Sequence, residues 1–114
     1  MVYDLKKSVW DAWNACKTIQ EYAAGYTWET YQADRIRRNA IERQFEILGE
    51  AFKRIDDAEP SFRECFDDVG VAIGMRNRLI HGYDRVNDVM VWDVVTENIP
   101  NLTTRLAAWL QENP

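Results

Sequence analysis

Histidine occurs once in this chain of 114 residues, cysteine twice and proline three times. One histidine, His81, and two isolated cysteines, Cys16 and Cys65, leave no zinc-ligand spacing and no CxxC pair, which excludes a structural zinc site. Scattered thiols of this kind fit a reducing, cytoplasmic setting better than a disulfide-held secreted domain. No apolar run approaches the ~20 residues a membrane helix needs, and the opening MVYDLKKSVWDAW has no signal-peptide pattern, so no membrane partner is expected. A Gly-rich phosphate loop, a Gly-x-Ser-x-Gly elbow and a Cys-His pair in motif context are all missing, and no classical cofactor or metal is implied. There is also no convincing strand alternation, internal repeat or low-complexity segment.

What is present is apolar and aromatic: 46% hydrophobic residues, with five Trp, five Tyr and four Phe, so the chain is globular rather than disordered. Its length suits a single domain over residues 1–114. The formal net charge of −5 argues against a protein that coats nucleic acid by bulk electrostatics. Seven of the 14 Lys and Arg, however, fall in two windows, Arg35/Arg37/Arg38/Arg43 and Arg76/Arg78/Arg85. Two readings stand. A fold that joins the windows creates a local basic patch, in which Arg78 and Arg38 would contact substrate phosphate; otherwise they are solvated faces paired with Glu42, Glu46 and Asp84.

Apolar positions recur at helical spacing. Leu5, Val9, Ala12, Cys16, Ile19 and Ala23 define a first helix over about residues 3–24, ending at Gly25. Thr27 can cap a second, although Thr30 stands where a capping box usually has Glu or Gln. The second helix carries Ile41, Phe45, Leu48, Phe52 and Ile55, broadened by Ala40, Ile47 and Ala51. Gly49 inside it costs roughly 1 kcal/mol against Ala and marks a close approach by another helix. The stretch DDAEPSFRECFDD is the main connection. A third helix runs from Val69 to about Ile80 and stops at Gly82. Asp88 can cap a fourth with Trp92, Val95, Ile99, Leu102, Leu106 and Trp109, kinked by Pro100. The architecture expected is all-α, an antiparallel up-down bundle of four to five helices.

The third helix carries an anomaly. Val69, Ala72, Ile73, Leu79 and Ile80 form one stripe, with Arg76 in its middle. A buried guanidinium needs a partner: an acid such as Glu46 or Glu50, solvent reached by snorkelling, or a subunit interface. His81 lies roughly 140° round the helix from Arg76, with Asn77 on its own face. Imidazole beside a fixed cation suits acid-base work on a phosphate ester, while a lone His at a helix end is also a common cap. Glu42, Glu46 and Glu50 lie on one face without the Glu-x-x-His of di-iron bundles, and read as a solvated ridge.

RNRLIHGY, an Arg-x4-His-x-Tyr pattern with a polar residue after the Arg, resembles the signature of HEPN domains. The blocks RRNAIERQFEILGEAFKRI, IGMRNRLIHGYDRV and VWDVVTENIPNL, in order across most of the chain, resemble HepT-like toxins, while residues 59–69 are less typical. The resemblance implies a dimerising HEPN-like bundle with the motif at the two-fold axis. It implies a metal-independent ribonuclease, the toxin of a toxin-antitoxin pair whose partner is an MNT-type minimal nucleotidyltransferase antitoxin. Carried onto this chain, Arg76 and His81 are catalytic, Asn77 is the supporting polar residue, and Tyr83 is the site of inhibitory AMP addition. RNA is the implied substrate. The competing expectation is a non-catalytic dimeric module that docks onto a nucleotidyltransferase, a role that an acidic pI of about 4.8 also suits.

Overall fold

Four of the six helices described begin at a side-chain cap. The computed structural model describes residues 3–82 and 87–114. Asp4 opens α1 (Leu5–Ala23) by accepting the Lys7 backbone N–H at 3.1 Å. Thr27 opens α2 (Trp28–Ala33), and here Thr30 performs the task expected of Glu or Gln: its hydroxyl accepts the Thr27 N–H at 2.8 Å while Thr27 Oγ accepts the Thr30 N–H at 3.3 Å. The box is closed by two threonines.

The expected second helix is two helices. At Asp34 the backbone turns extended, and the Asp34 carboxylate accepts the Arg37 N–H at 2.9 Å and the Tyr26 hydroxyl at 2.8 Å, starting α3 (Arg35–Ala58) afresh. Those two donors hold the Asp34 carboxyl below the usual carboxylate range. A short 3₁₀ turn, Pro60–Glu64, then leads to α4 (Val69–His81). Gly82, with φ +60°, ends α4 in the left-handed conformation that a side chain would resist.

The fourth helix is also divided. Asn87, not Asp88, caps α5 (Asp88–Glu97): its side-chain oxygen accepts the Val89 and Met90 N–H groups, leaving Asp88 in the first turn, where the helix dipole favours an acid. Pro100 does more than kink the continuation. It occupies the first turn of α6 (Ile99–Glu112), where its missing N–H leaves no bond unmade, and the break falls at Asn98. Among the described residues there are six α-helices and no strand.

Within this all-α bundle α3 is central, with α1 and α4 against it, α6 on α1, and α5 against α6. Its stripe Ile41, Phe45, Leu48, Phe52 and Ile55 is buried and meets Val9, Cys16 and Ile19 of α1. Each such side chain contributes roughly 1.5–3 kcal/mol on leaving water. Gly49 is where α4 comes close, as its place in the sequence suggests: a Cβ there would lie 2.1 Å from Arg76 Cβ and 2.8 Å from the Ala72 carbonyl oxygen. The face α4 buries differs from the expected stripe in one respect. Met75 is buried with Val69 and Ala72, whereas Ile80 is 44% exposed, because the buried face centres on Ala72 and, at about 100° per residue, Ile80 falls on its flank.

Candidate active site at the end of the motif helix

Arg76 is half-buried, its Cβ and Cγ seated over Gly49 of α3. Among the described residues its buried Nε has no hydrogen-bond partner, and Nη1 donates to Asn77 Oδ1 at 3.0 Å. The internal salt bridge to Glu46 or Glu50 is not formed among the described residues. Glu46 accepts instead from Arg43, one turn earlier on its own helix, at 3.0 Å. A guanidinium held against a helix, oriented by a neighbouring amide and without a carboxylate among the described residues, keeps donor capacity for another anion.

His81 is the last residue of α4 and is exposed, so the imidazole lies at the rim of the site rather than over Arg76. Asn77 joins Arg76. Arg78 turns elsewhere: it is exposed, with Nη1 2.8 Å from Met90 Sδ beside a cleft of about 240 Å³ between α4 and α5. Tyr83, Asp84 and Arg85 lie outside the described residues.

One arginine of each window reaches the start of α5, Arg38 beside Asp88 and Arg78 beside Met90. Arg38 is committed there: Nε stands 3.6 Å from Asp88 Oδ2, and its guanidinium also donates to the Gln32 carbonyl. Contact with a phosphate would require it to exchange those partners. Arg37 is likewise occupied, donating to the Tyr22 carbonyl at 3.2 Å and lying over the Tyr26 ring. These attachments come from backbone carbonyls and a neighbouring helix, for which the sequence carries no local signal.

The glutamate ridge is only partly solvated, since Glu42, Glu46 and Glu50 are all half-buried. Burial raises the Glu42 carboxyl above its ordinary value, the Asp88 and Glu46 charges adding to the effect and Arg38 opposing it. Next to it, Tyr31 is buried and stacked on Trp92 at 4.7 Å, its hydroxyl without a hydrogen-bond partner. Burial, Glu42 and Asp88 push that phenol well above its usual range. Among the described residues no cluster of three or more His, Cys, Asp or Glu could hold a metal ion, and no helix is long and apolar enough to cross a membrane.

The family model "HepT-like: Ribonuclease HepT-like" matches residues 13–108, from the middle of α1 to the middle of α6. This chain belongs to the HepT-like ribonuclease family. A relative from Caldanaerobacter subterraneus subsp. tengcongensis named "Putative RNase TTE0752" is 32% identical to this HepT-like chain over 99 residues, covering 85% of it and 86% of the relative. "Probable ribonuclease HepT" of Thermococcus cleftensis is 31% identical over 94 residues, 81% and 83% of the two chains. "Putative RNase MJ1380" of Methanocaldococcus jannaschii is 29% identical over 101 residues, 87% and 90%. No solved structure matches. The matched residues contain the whole of the Arg-x4-His helix, and the all-α bundle agrees with the HEPN-like fold expected from it.

Proposed function

We propose that this HepT-like chain is a single-domain endoribonuclease that acts as a dimer, with Arg76 and His81 of both protomers forming one composite site. The observation that carries the reading is Arg76: a half-buried guanidinium oriented by Asn77, without an acidic partner among the described residues, on the helix that ends at an exposed His81. What supports the dimer is exposed apolar surface on the α5 side of α4: Val71 is 44% exposed and Val89 of α5 is 50% exposed, and a two-fold axis there would cover them with their own copies. The divergence of Arg76 and His81 on one helix is then resolved between two helices.

In this mechanism one His81 accepts the proton of an RNA 2′-hydroxyl as that oxygen attacks phosphorus. The other His81 gives its proton to the departing 5′-oxygen, and Arg76 stabilises the charge gained by the phosphoryl oxygens. The products are a 2′,3′-cyclic phosphate and a 5′-hydroxyl, and DNA is inert because it lacks the attacking group. No metal takes part. In a cell the activity is that of a toxin, held in check by a nucleotidyltransferase antitoxin that adds AMP, with its bulk and negative charge, to Tyr83, two residues after His81 in the chain.

The test compares wild type with His81→Ala on a single-stranded RNA in the presence of EDTA. Wild type cleaves and leaves cyclic phosphate ends, while His81→Ala is at least about 10²-fold slower, the scale of a lost general acid or base. Equal cleavage by both removes His81 from the mechanism, and cleavage that needs added magnesium rejects the chemistry. A dimer that binds the antitoxin but never cleaves RNA would be the docking module instead.

A further inference from the structure

We infer that Gly49 of α3 is a positioning residue that sets where the Arg76 guanidinium stands, an inference that rests on the reading of Arg76 as the residue that stabilises the phosphoryl charge. The argument begins with what a side chain at 49 would meet. The first atom is Arg76 Cβ at 2.1 Å, then the Ala72 carbonyl oxygen at 2.8 Å and Arg76 Cγ at 2.9 Å. None of these is the free end of a flexible chain. Two belong to the stem of the arginine and the third to the backbone that carries it. Moving from 2.1 Å to the 3.4 Å where ordinary contact begins would have to shift α4, and with it Arg76, rather than a rotamer.

The second observation lies further along the same side chain. Arg76 Nε is buried without a partner among the described residues, and Nη1 is bound to Asn77 Oδ1 at 3.0 Å. A stem pressed flat on a helix backbone, an enclosed Nε and one occupied Nη leave the guanidinium few orientations, which is the preorganisation that charge stabilisation needs. Gly49 makes the flat seat possible. Gly74 on α4 provides the contrast, since a Cβ there meets nothing within 4 Å and its absence fixes no neighbour. The seat therefore acts on the arginine specifically. Displacement of a reacting group by about 1 Å can cost on the order of 10²-fold in rate, so even a small lift of α4 should be read in kcat.

The test measures kcat and KM on a single-stranded RNA oligonucleotide for wild type, Gly49→Ala, Arg76→Ala and Leu106→Ala. Leu106 is a buried residue of α6 and serves as a control for lost stability. At a temperature where circular dichroism shows all four folded, Gly49→Ala should lower kcat at least tenfold with KM within threefold, and Leu106→Ala should move neither. Folded Gly49→Ala with wild-type kcat beside inactive Arg76→Ala overturns the positioning role and leaves the proposed function standing. Full activity of Arg76→Ala overturns the proposed function itself, and the role of Gly49 falls with it. If Gly49→Ala does not fold, the wild-type protein decides by nitrogen-15 NMR, with the Arg76 Nε–H assigned by its loss in Arg76→Lys. An Nε–H protected from hydrogen exchange supports the seat, and one that exchanges as fast as exposed arginines overturns it.

Discussion

Side chains that break the helical pattern are the informative ones in this molecule, and most of them lie on the two faces between α3 and α4. Arg76 is legible as an anomaly from the wheel alone. Its resolution is not, because the candidate acid Glu46 turns to Arg43 on its own helix and Glu50 forms no ion pair among the described residues. Glu42 is the converse, unremarkable in the sequence yet half-buried next to Asp88 and Arg38. Its folded-state affinity for a proton is raised above the ordinary value near 4.5. Between that value and the higher folded one, the folded protein binds the proton more readily than the unfolded chain does. Stability is therefore lost as pH rises through this window and stays lower above it. Glu42→Gln keeps the shape of the protonated acid without the charge. Its denaturation midpoint should exceed that of wild type at pH 7, with the gap closing below about pH 4 as the wild-type acid protonates in both states. An equal gap at both pH values would assign the effect to packing.

At the scale of elements, the stripes were readable and the breaks only partly so. The apolar positions of α1, α3 and α6 are those expected from four-three spacing, because burial of one helical face imposes that spacing whatever the neighbours are. Breaks depend on which polar side chain claims the free N–H groups. Asp34 could have been one more exposed residue of a long helix, but the Tyr26 hydroxyl holds it at a corner. Asn87 and Asp88 were both eligible to cap α5, and Asn87 does so with two bonds, at 3.0 and 3.3 Å. Asn87→Ala should destabilise the protein by about 1 kcal/mol in denaturant unfolding, as loss of an N-cap does. Asp88→Asn should not reproduce that loss through capping. It should act through the 3.6 Å contact with Arg38.

For the whole molecule, the consequence is that α4 packs on α3 through Val69, Ala72 and Met75 and leaves Val71 exposed on the flank beside α5. In the dimer proposed above, a charge on the outward face falls between protomers and does not touch the monomer core. Val71→Glu should therefore convert a dimer to a monomer in sedimentation or light scattering, abolish RNA cleavage, and leave the helical circular dichroism unchanged. A Val71→Glu variant that remains dimeric would place the two-fold axis on another face. The helical class, the apolar stripes, the end of α4 at Gly82 and a close approach at Gly49 follow from the sequence by itself, since each depends on local backbone preference or on burial of one face. The partners of Arg76, Arg38 and Glu42 and the exposed side of α4 were decided only by tertiary structure. Arg38 and Glu42 meet Asp88, and the Arg76 stem meets Gly49, across long separations in the chain, so these contacts exist only once the helices pack.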